Sequence, residues 1–151
     1  MISYDKEPQY FTHKAILVEH GNQKAWIDTL LAPIILSCWK QGILTVHCCQ
    51  ESEPGVSFIS FIDGFYLEKF LHPISSLTLD RTDFDRINQA LGKWEEWLVV
   101  DRQLGMVKKR HLVRSGWDLG YKRMDLPVWT KNSDIQFPMS YIPAFEKALS
   151  A

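Results

Sequence analysis

Cysteine is scarce in this chain: three residues in 151, two of them adjacent. That excludes a disulfide framework and leaves no spaced CxxC pairs to hold a structural zinc. Long apolar runs are also missing. No stretch reaches the roughly 18 apolar residues of a membrane-spanning helix, and no charged-then-apolar leader opens the chain. These absences predict a reducing, cytoplasmic setting and no membrane partner. Charge of one sign is not in excess, the net being −1, so the chain as a whole lacks the strongly basic footprint of a nucleic-acid binder. G-x-G-x-x-G, Walker, G-x-S-x-G and H-E-x-x-H sequences are absent, and no cofactor is expected. Neither internal repeats nor low-complexity tracts occur.

What is present suits one globular domain. A chain of this length buries about 70% of its unfolded surface without staples. Aromatic residues make up 13%, with six tryptophans, enough to fill a core. Residues 1–12 read as a polar N-terminal arm and 13–151 as the domain.

Residues Trp26 to Gln50, WIDTLLAPIILSCWKQGILTVHCCQ, form the central stretch. Asp28 or Thr29 is suited to cap a helix, because its side-chain oxygen can accept from free N–H groups of the first turn. Leu30, Leu31, Ile34, Ile35 and Cys38 recur at helical spacing, and Gly42 is placed to end the helix. A strand over 43–49 follows. Strict alternation would put Leu44, Val46 and Cys48 on the core face. Thr45, His47 and Cys49 would then form an opposite row, with neighbours about 7 Å apart.

Before this stretch, Ala15–Glu19 and Lys24–Ile27 read as a hairpin around His20-Gly21-Asn22. After it, Glu51 to Gly55 is loop-like, and Val56–Ile62 is a strand pairing antiparallel with the 43–49 strand. A short helix over 65–71 closes at His72-Pro73. Thr82 or Asp83 caps a third helix, whose stripe is Phe84, Ile87, Leu91, Trp94 and Leu98, with a possible change to strand from Trp97. Strands follow over 106–113 and 117–124, joined at Arg114-Ser115-Gly116. Leu126–Trp129 is extended or loop. A strand over 135–138 then leads to a final helix with Pro143 in its first turn. The fold class expected is α+β: a single domain, a mostly antiparallel sheet, and about three helices packed mainly on one face.

Three chemistries compete for a function. Asp28, Thr45 and Gln50, at or near the end of the 43–49 strand, suit a small-ligand or partner-binding site. Cys49 with His47 two residues back is a candidate catalytic pair, the imidazole lowering the thiol pKa or taking its proton, with Asp28 and Glu51 as possible orienters. The plainer state of a free cysteine is a small buried thiol. Metal binding is disfavoured, because Cys48 and Cys49 point to opposite faces and no second pair follows; His72 or His111 would have to be brought in by the fold.

The third chemistry is electrostatic. Residues 1–100 carry 8 basic and 13 acidic side chains, whereas 101–151 carry 9 and 5. Lys108, Lys109, Arg110, Arg114, Lys122 and Arg123, with Trp117 between, could track a phosphate backbone and stack bases. A solvated charged face is the simpler account, so nucleic acid is not the favoured partner. The leading expectation is a cytoplasmic binding module for a small molecule or protein; an enzyme using Cys49 and a nucleic-acid accessory protein are its rivals. The sequence sets no oligomeric state.

The run Asp28, Ala32-Pro33, Trp39, Gly42, Thr45, Cys49-Gln50 resembles a pattern in small uncharacterised bacterial and phage proteins. In those an Asp opens a helix with an Ala-Pro step, and a Gly-x-x-Thr-x-x-Ser-Cys-Gln-Gly strand end follows. Phe137-Pro138 resembles their later aromatic-Pro step. Cys48 stands where Ser is usual and Glu51 where Gly is usual. A much fainter likeness links the same segment to the methyltransferase family of tRNA wybutosine synthesis. The resemblance implies a shared helix, strand and turn, and carries no activity.

Overall fold

The computed structural model describes residues 13–91, 96–101, 106–112, 117–119, 122–124, 126–131 and 133–150. The expected arm over 1–12 lies outside them. In chain order come β1 (Ala15–His20), β2 (Gln23–Asp28), α1 (Ala32–Lys40), β3 (Thr45–Glu53), β4 (Val56–Phe61), α2 (Gly64–Ile74) and α3 (Thr82–Leu91). Then follow β5 (Glu96–Asp101), β6 (Met106–Leu112), β7 (Trp117–Leu119), β8 (Lys122–Met124), β9 (Trp129–Lys131), β10 (Asp134–Pro138), a 3₁₀ turn (Met139–Tyr141) and α4 (Ile142–Ser150).

β1 and β2 form the expected antiparallel hairpin, lengthened so that Ala15 pairs with Asp28. That pairing overturns the capping role read for Asp28 and Thr29. Asp28 is the last strand residue, and the N–H and hydroxyl of Thr29 both donate to the Lys14 carbonyl, at 2.9 and 2.8 Å. α1 therefore starts only at Ala32, with Leu31 in the cap position and no side-chain cap. Leu30 is left exposed, outside the apolar stripe. Pro33 falls in the first turn, where a missing N–H costs no helical bond.

The other end of α1 behaves as expected. Gly42 has φ +73°. Ile43 N–H donates to the Cys38 carbonyl at 2.8 Å and Gly42 N–H to that of Trp39 at 3.0 Å. These nested bonds, with Ile43 and Cys38 both buried, need a left-handed residue between helix and strand, and glycine takes that conformation without steric cost.

β3 runs four residues beyond the expected end at Cys49. Its partner β4 begins at Val56, so the connection is only Pro54-Gly55, with Gly55 at φ +76° and its N–H held by the Glu51 carboxylate at 2.9 Å. The ladder is broken twice, between Thr45 and His47 and between Cys49 and Glu53. The first irregularity corrects the expected alternation. An extra residue shifts the side chains that follow to the other face. Val46, read as core, is 51% exposed, while Thr45 turns inward, its Oγ1 accepting from the buried Trp39 indole at 3.0 Å.

The main sheet has the order β3-β4-β10-β9, antiparallel throughout. Alternation sorts its two faces. Ile59, Phe61, Ile135 and Phe137 enter a large core with Leu31 and with Ile35, Leu67, Phe70 and Phe145 of α1, α2 and α4. Val56 and Trp129 pack on the other face with Phe84 and Ile87 of α3. The Phe84 and Trp129 rings lie 4.5 Å apart, and the Trp129 indole donates to Asn88 at 2.7 Å. The protein is thus α+β, with four helices among the described residues where about three were expected; α1, α2 and α4 share one face and α3 covers the other.

Two helix boundaries differ from expectation. α2 continues through Pro73 to Ile74, because Phe70, Leu71 and Ile74 complete its buried stripe. Asp63 caps its start, accepting from the N–H groups of Phe65 and Tyr66 at 3.0 and 3.4 Å. Asp63→Ala should cost about 1 kcal/mol, the usual loss for such a cap, measurable as a lower urea midpoint at unchanged slope. α3 spans Thr82–Leu91, and Leu98 belongs to β5, in line with the change to strand allowed from Trp97; Gly92 and Trp94 lie outside the described residues. Its capping group is Asp80, not Thr82 or Asp83. Thr82 is the first helical residue, and its N–H and hydroxyl donate to Asp80 at 2.8 and 2.6 Å.

A second four-stranded sheet has the order β6-β5-β7-β8. The expected 106–113 and 117–124 strands are not neighbours: β5 lies between β6 and β7, pairing antiparallel with the first and parallel with the second. The second of them is itself a tight hairpin, β7 against β8. No helix among the described residues is long and apolar enough to cross a membrane.

Candidate functional site

The wide irregularity between Cys49 and Glu53 takes Gln50 out of the β3–β4 ladder. Its backbone finds other partners. Gln50 N–H donates to Asp28 Oδ2 at 2.9 Å, and its carbonyl accepts from the Ser57 hydroxyl at 2.6 Å. In return the Gln50 side chain accepts from Leu30 N–H at 3.1 Å. Two reciprocal bonds therefore fasten the β2–α1 junction to the edge of β3. Buried polar groups require such partners, and Asp28 is only 7% exposed.

Beside this clasp, one ligand-capable atom each from His13, Asp28 and Cys49 lies within 4.8 Å of the other two. His13 precedes β1, Asp28 ends β2 and Cys49 lies in β3, so three separate segments contribute. His13 Nε2 is 3.3 Å from the Glu51 carbonyl, which fits an N–H donor there. Trp26, two residues before Asp28 and so on its face of β2, has a buried indole N–H with no partner among the described residues.

The electrostatics define what this thiol can do. Burial raises the Cys49 pKa above its ordinary value. A hydrogen bond from the Glu51 backbone works the other way, and the Asp28 carboxylate raises it further through its charge and by accepting a hydrogen bond from the thiol. Cys49 is therefore held as S–H, bound to a carboxylate, rather than as a thiolate. Burial likewise pushes the Cys38 and Cys48 thiols up to about 12. A reactive cysteine needs the reverse environment, electropositive and partly open.

The other expected site residues are dispersed. His47 is exposed, two residues from Cys49 along β3, and it is His13 that joins the thiol and carboxylate. Thr45 faces Trp39 and stands apart from the cluster. Lys108, Lys109 and Arg110 belong to β6 and Lys122 and Arg123 to β8, strands at opposite edges of their sheet; Trp117 belongs to β7. Their side chains, and Arg114 altogether, lie outside what the structure describes.

No known family, curated protein or solved structure matches the chain. The site must accordingly be read from its own chemistry. A separate cavity of about 440 Å³ lies where α3 begins beside the 3₁₀ turn, lined by Leu79, Asp80, Asp83, Ser140 and Tyr141 among others, and by none of the cluster. Hydrogen bonds from Thr82, and from Ser140 and Arg86, hold Asp80 and Asp83 below the usual carboxylate range, while burial raises the Tyr141 phenol.

Proposed function

We propose that the protein is a cytoplasmic ligand-binding module whose site is the edge of β3 where His13, Asp28, Cys49 and Gln50 meet. The observation that carries this reading is the convergence of an imidazole, a carboxylate and a thiol from three segments onto an irregular strand edge, where bulges commonly re-aim side chains. The clasp also accounts for an Asp before the helix occurring together with Cys-Gln at the strand: both ends are needed to make the two bonds. The rival reading, an enzyme with Cys49 as nucleophile, is disfavoured by the raised thiol pKa.

Two measurements decide between them. In an amide NMR titration with small polar compounds, ligands should shift the Leu30 and Gln50 resonances, and Asp28→Asn and Cys49→Ser should abolish the response. Shifts confined to the cavity near Tyr141, or none at all, would refute the site. With iodoacetamide at neutral pH, Cys38 and Cys48 should stay unlabelled in the folded protein and Cys49 should react more slowly than a free thiol. Rapid alkylation of Cys49 would favour the enzyme instead.

A further inference from the structure

We propose that His13, Asp28 and Cys49 bind a divalent transition-metal ion of the zinc class. This rests on the binding-module reading and names the ligand of that site.

The donor set comes first. One nitrogen, one oxygen and one sulfur suit a borderline-soft ion such as zinc or cobalt(II), and exclude calcium, which takes six to eight oxygens. Spacing comes next. Bonds of about 2.0–2.3 Å to a tetrahedral centre place the ligand atoms roughly 3.3–3.8 Å apart. The three atoms here already lie within 4.8 Å of one another. A side-chain adjustment of about 1 Å closes the set.

The outer partners supply independent support. A metal-bound histidine commonly donates its second ring N–H to a carbonyl, which fixes the tautomer. His13 Nε2 lies 3.3 Å from the Glu51 carbonyl; in the tautomer that donates there, Nδ1 is the nitrogen that would take the metal. Ligating carboxylates are themselves hydrogen-bonded, and Asp28 Oδ2 accepts from Gln50 N–H. On binding, the S–H bond breaks, the proton leaves to solvent, and sulfur and carboxylate oxygen both bond to the metal. Three protein ligands leave a fourth position for water or a small molecule, the open arrangement that distinguishes working zinc sites from structural ones.

The test is a cobalt(II) titration of the full chain. The expected result is one equivalent bound, with a near-ultraviolet sulfur-to-cobalt charge-transfer band that zinc displaces. Cys49→Ser should remove the band, while His47→Ala and Cys48→Ser should retain it. His13→Ala should weaken binding by at least the roughly 10–100-fold typical of outer-partner losses. Circular dichroism of each variant checks folding, and His13→Ala, which leaves the clasp intact, keeps the test valid if Asp28 variants unfold. No band, or a band surviving Cys49→Ser, overturns the proposal. If metals fail while small organic ligands still shift the Leu30 and Gln50 amides, only the metal assignment falls; if neither binds, the site reading falls with it.

Discussion

Phe145→Ala is expected to lower unfolding stability by about 3–5 kcal/mol, the range for truncating a large buried aromatic. The ring is fully buried on α4, with centroids of Phe137, Tyr141 and Phe70 at 4.7, 5.9 and 6.1 Å. It joins β10, the 3₁₀ turn and α2, so no single neighbour can collapse into the space it leaves. Against a total of about 5–15 kcal/mol for a domain, such a loss brings the chain close to unfolding at physiological temperature. Urea melts should show the fall directly. Ile62→Ala, at a side chain 53% exposed, is the control and should stay within about 0.5 kcal/mol. Comparable losses at both positions would mean that the Phe145 core is not packed as described.

Asp28→Ala is expected to cost about 1.5–3 kcal/mol, the value of a hydrogen bond to a charged group. The substitution removes the acceptor of Gln50 N–H, which the broken β3–β4 ladder cannot replace. Asp28→Asn retains a carbonyl acceptor and should lose less. Amide hydrogen exchange gives the local readout: the Gln50 N–H should exchange faster in Asp28→Ala than in the parent. Equal stability of Asp28→Ala, Asp28→Asn and the parent would show that the clasp contributes nothing, and would leave Asp28 without a structural role.

The local elements were legible because short-range patterns set them. The Gly21-Asn22 hairpin, the Gly42 helix stop, the VSFISF strand and the Ile142, Phe145, Leu149 face all stand where periodicity and turn chemistry put them. Misreadings arose where two local roles competed for one residue. Asp28 can cap a helix or end a strand, and only the β1 partner decides. Thr82 can cap α3 or begin it, and Asp80 decides. The Phe84-to-Leu98 stripe keeps its helical period past Leu91, and of its two readings the change to strand from Trp97 is the one that holds, Leu98 lying in β5, paired with Arg110.

The candidate site was half legible. Asp28, Cys49 and Gln50 stood out in the central stretch; His13 did not. Counting back along the β1–β2 ladder from its two-residue turn sets His13 level with Leu30, two residues past the Ala15–Asp28 pair. That signal was available in the hairpin register and points His13 toward Asp28. Nothing local, however, announces that the β3 edge closes on both.

By itself the sequence determined the α+β class, most helix and strand positions, and the identity of two of the three clustered ligand-type residues. The tertiary structure alone decided the bulge that turns Val46 outward and Thr45 inward, the passage of β5 between β6 and β7, and the meeting of His13 with Cys49. The reason is physical. Propensity and periodicity act over a few residues, whereas a strand irregularity or a pairing partner is chosen by contacts between segments dozens of residues apart, whose energies no local pattern encodes.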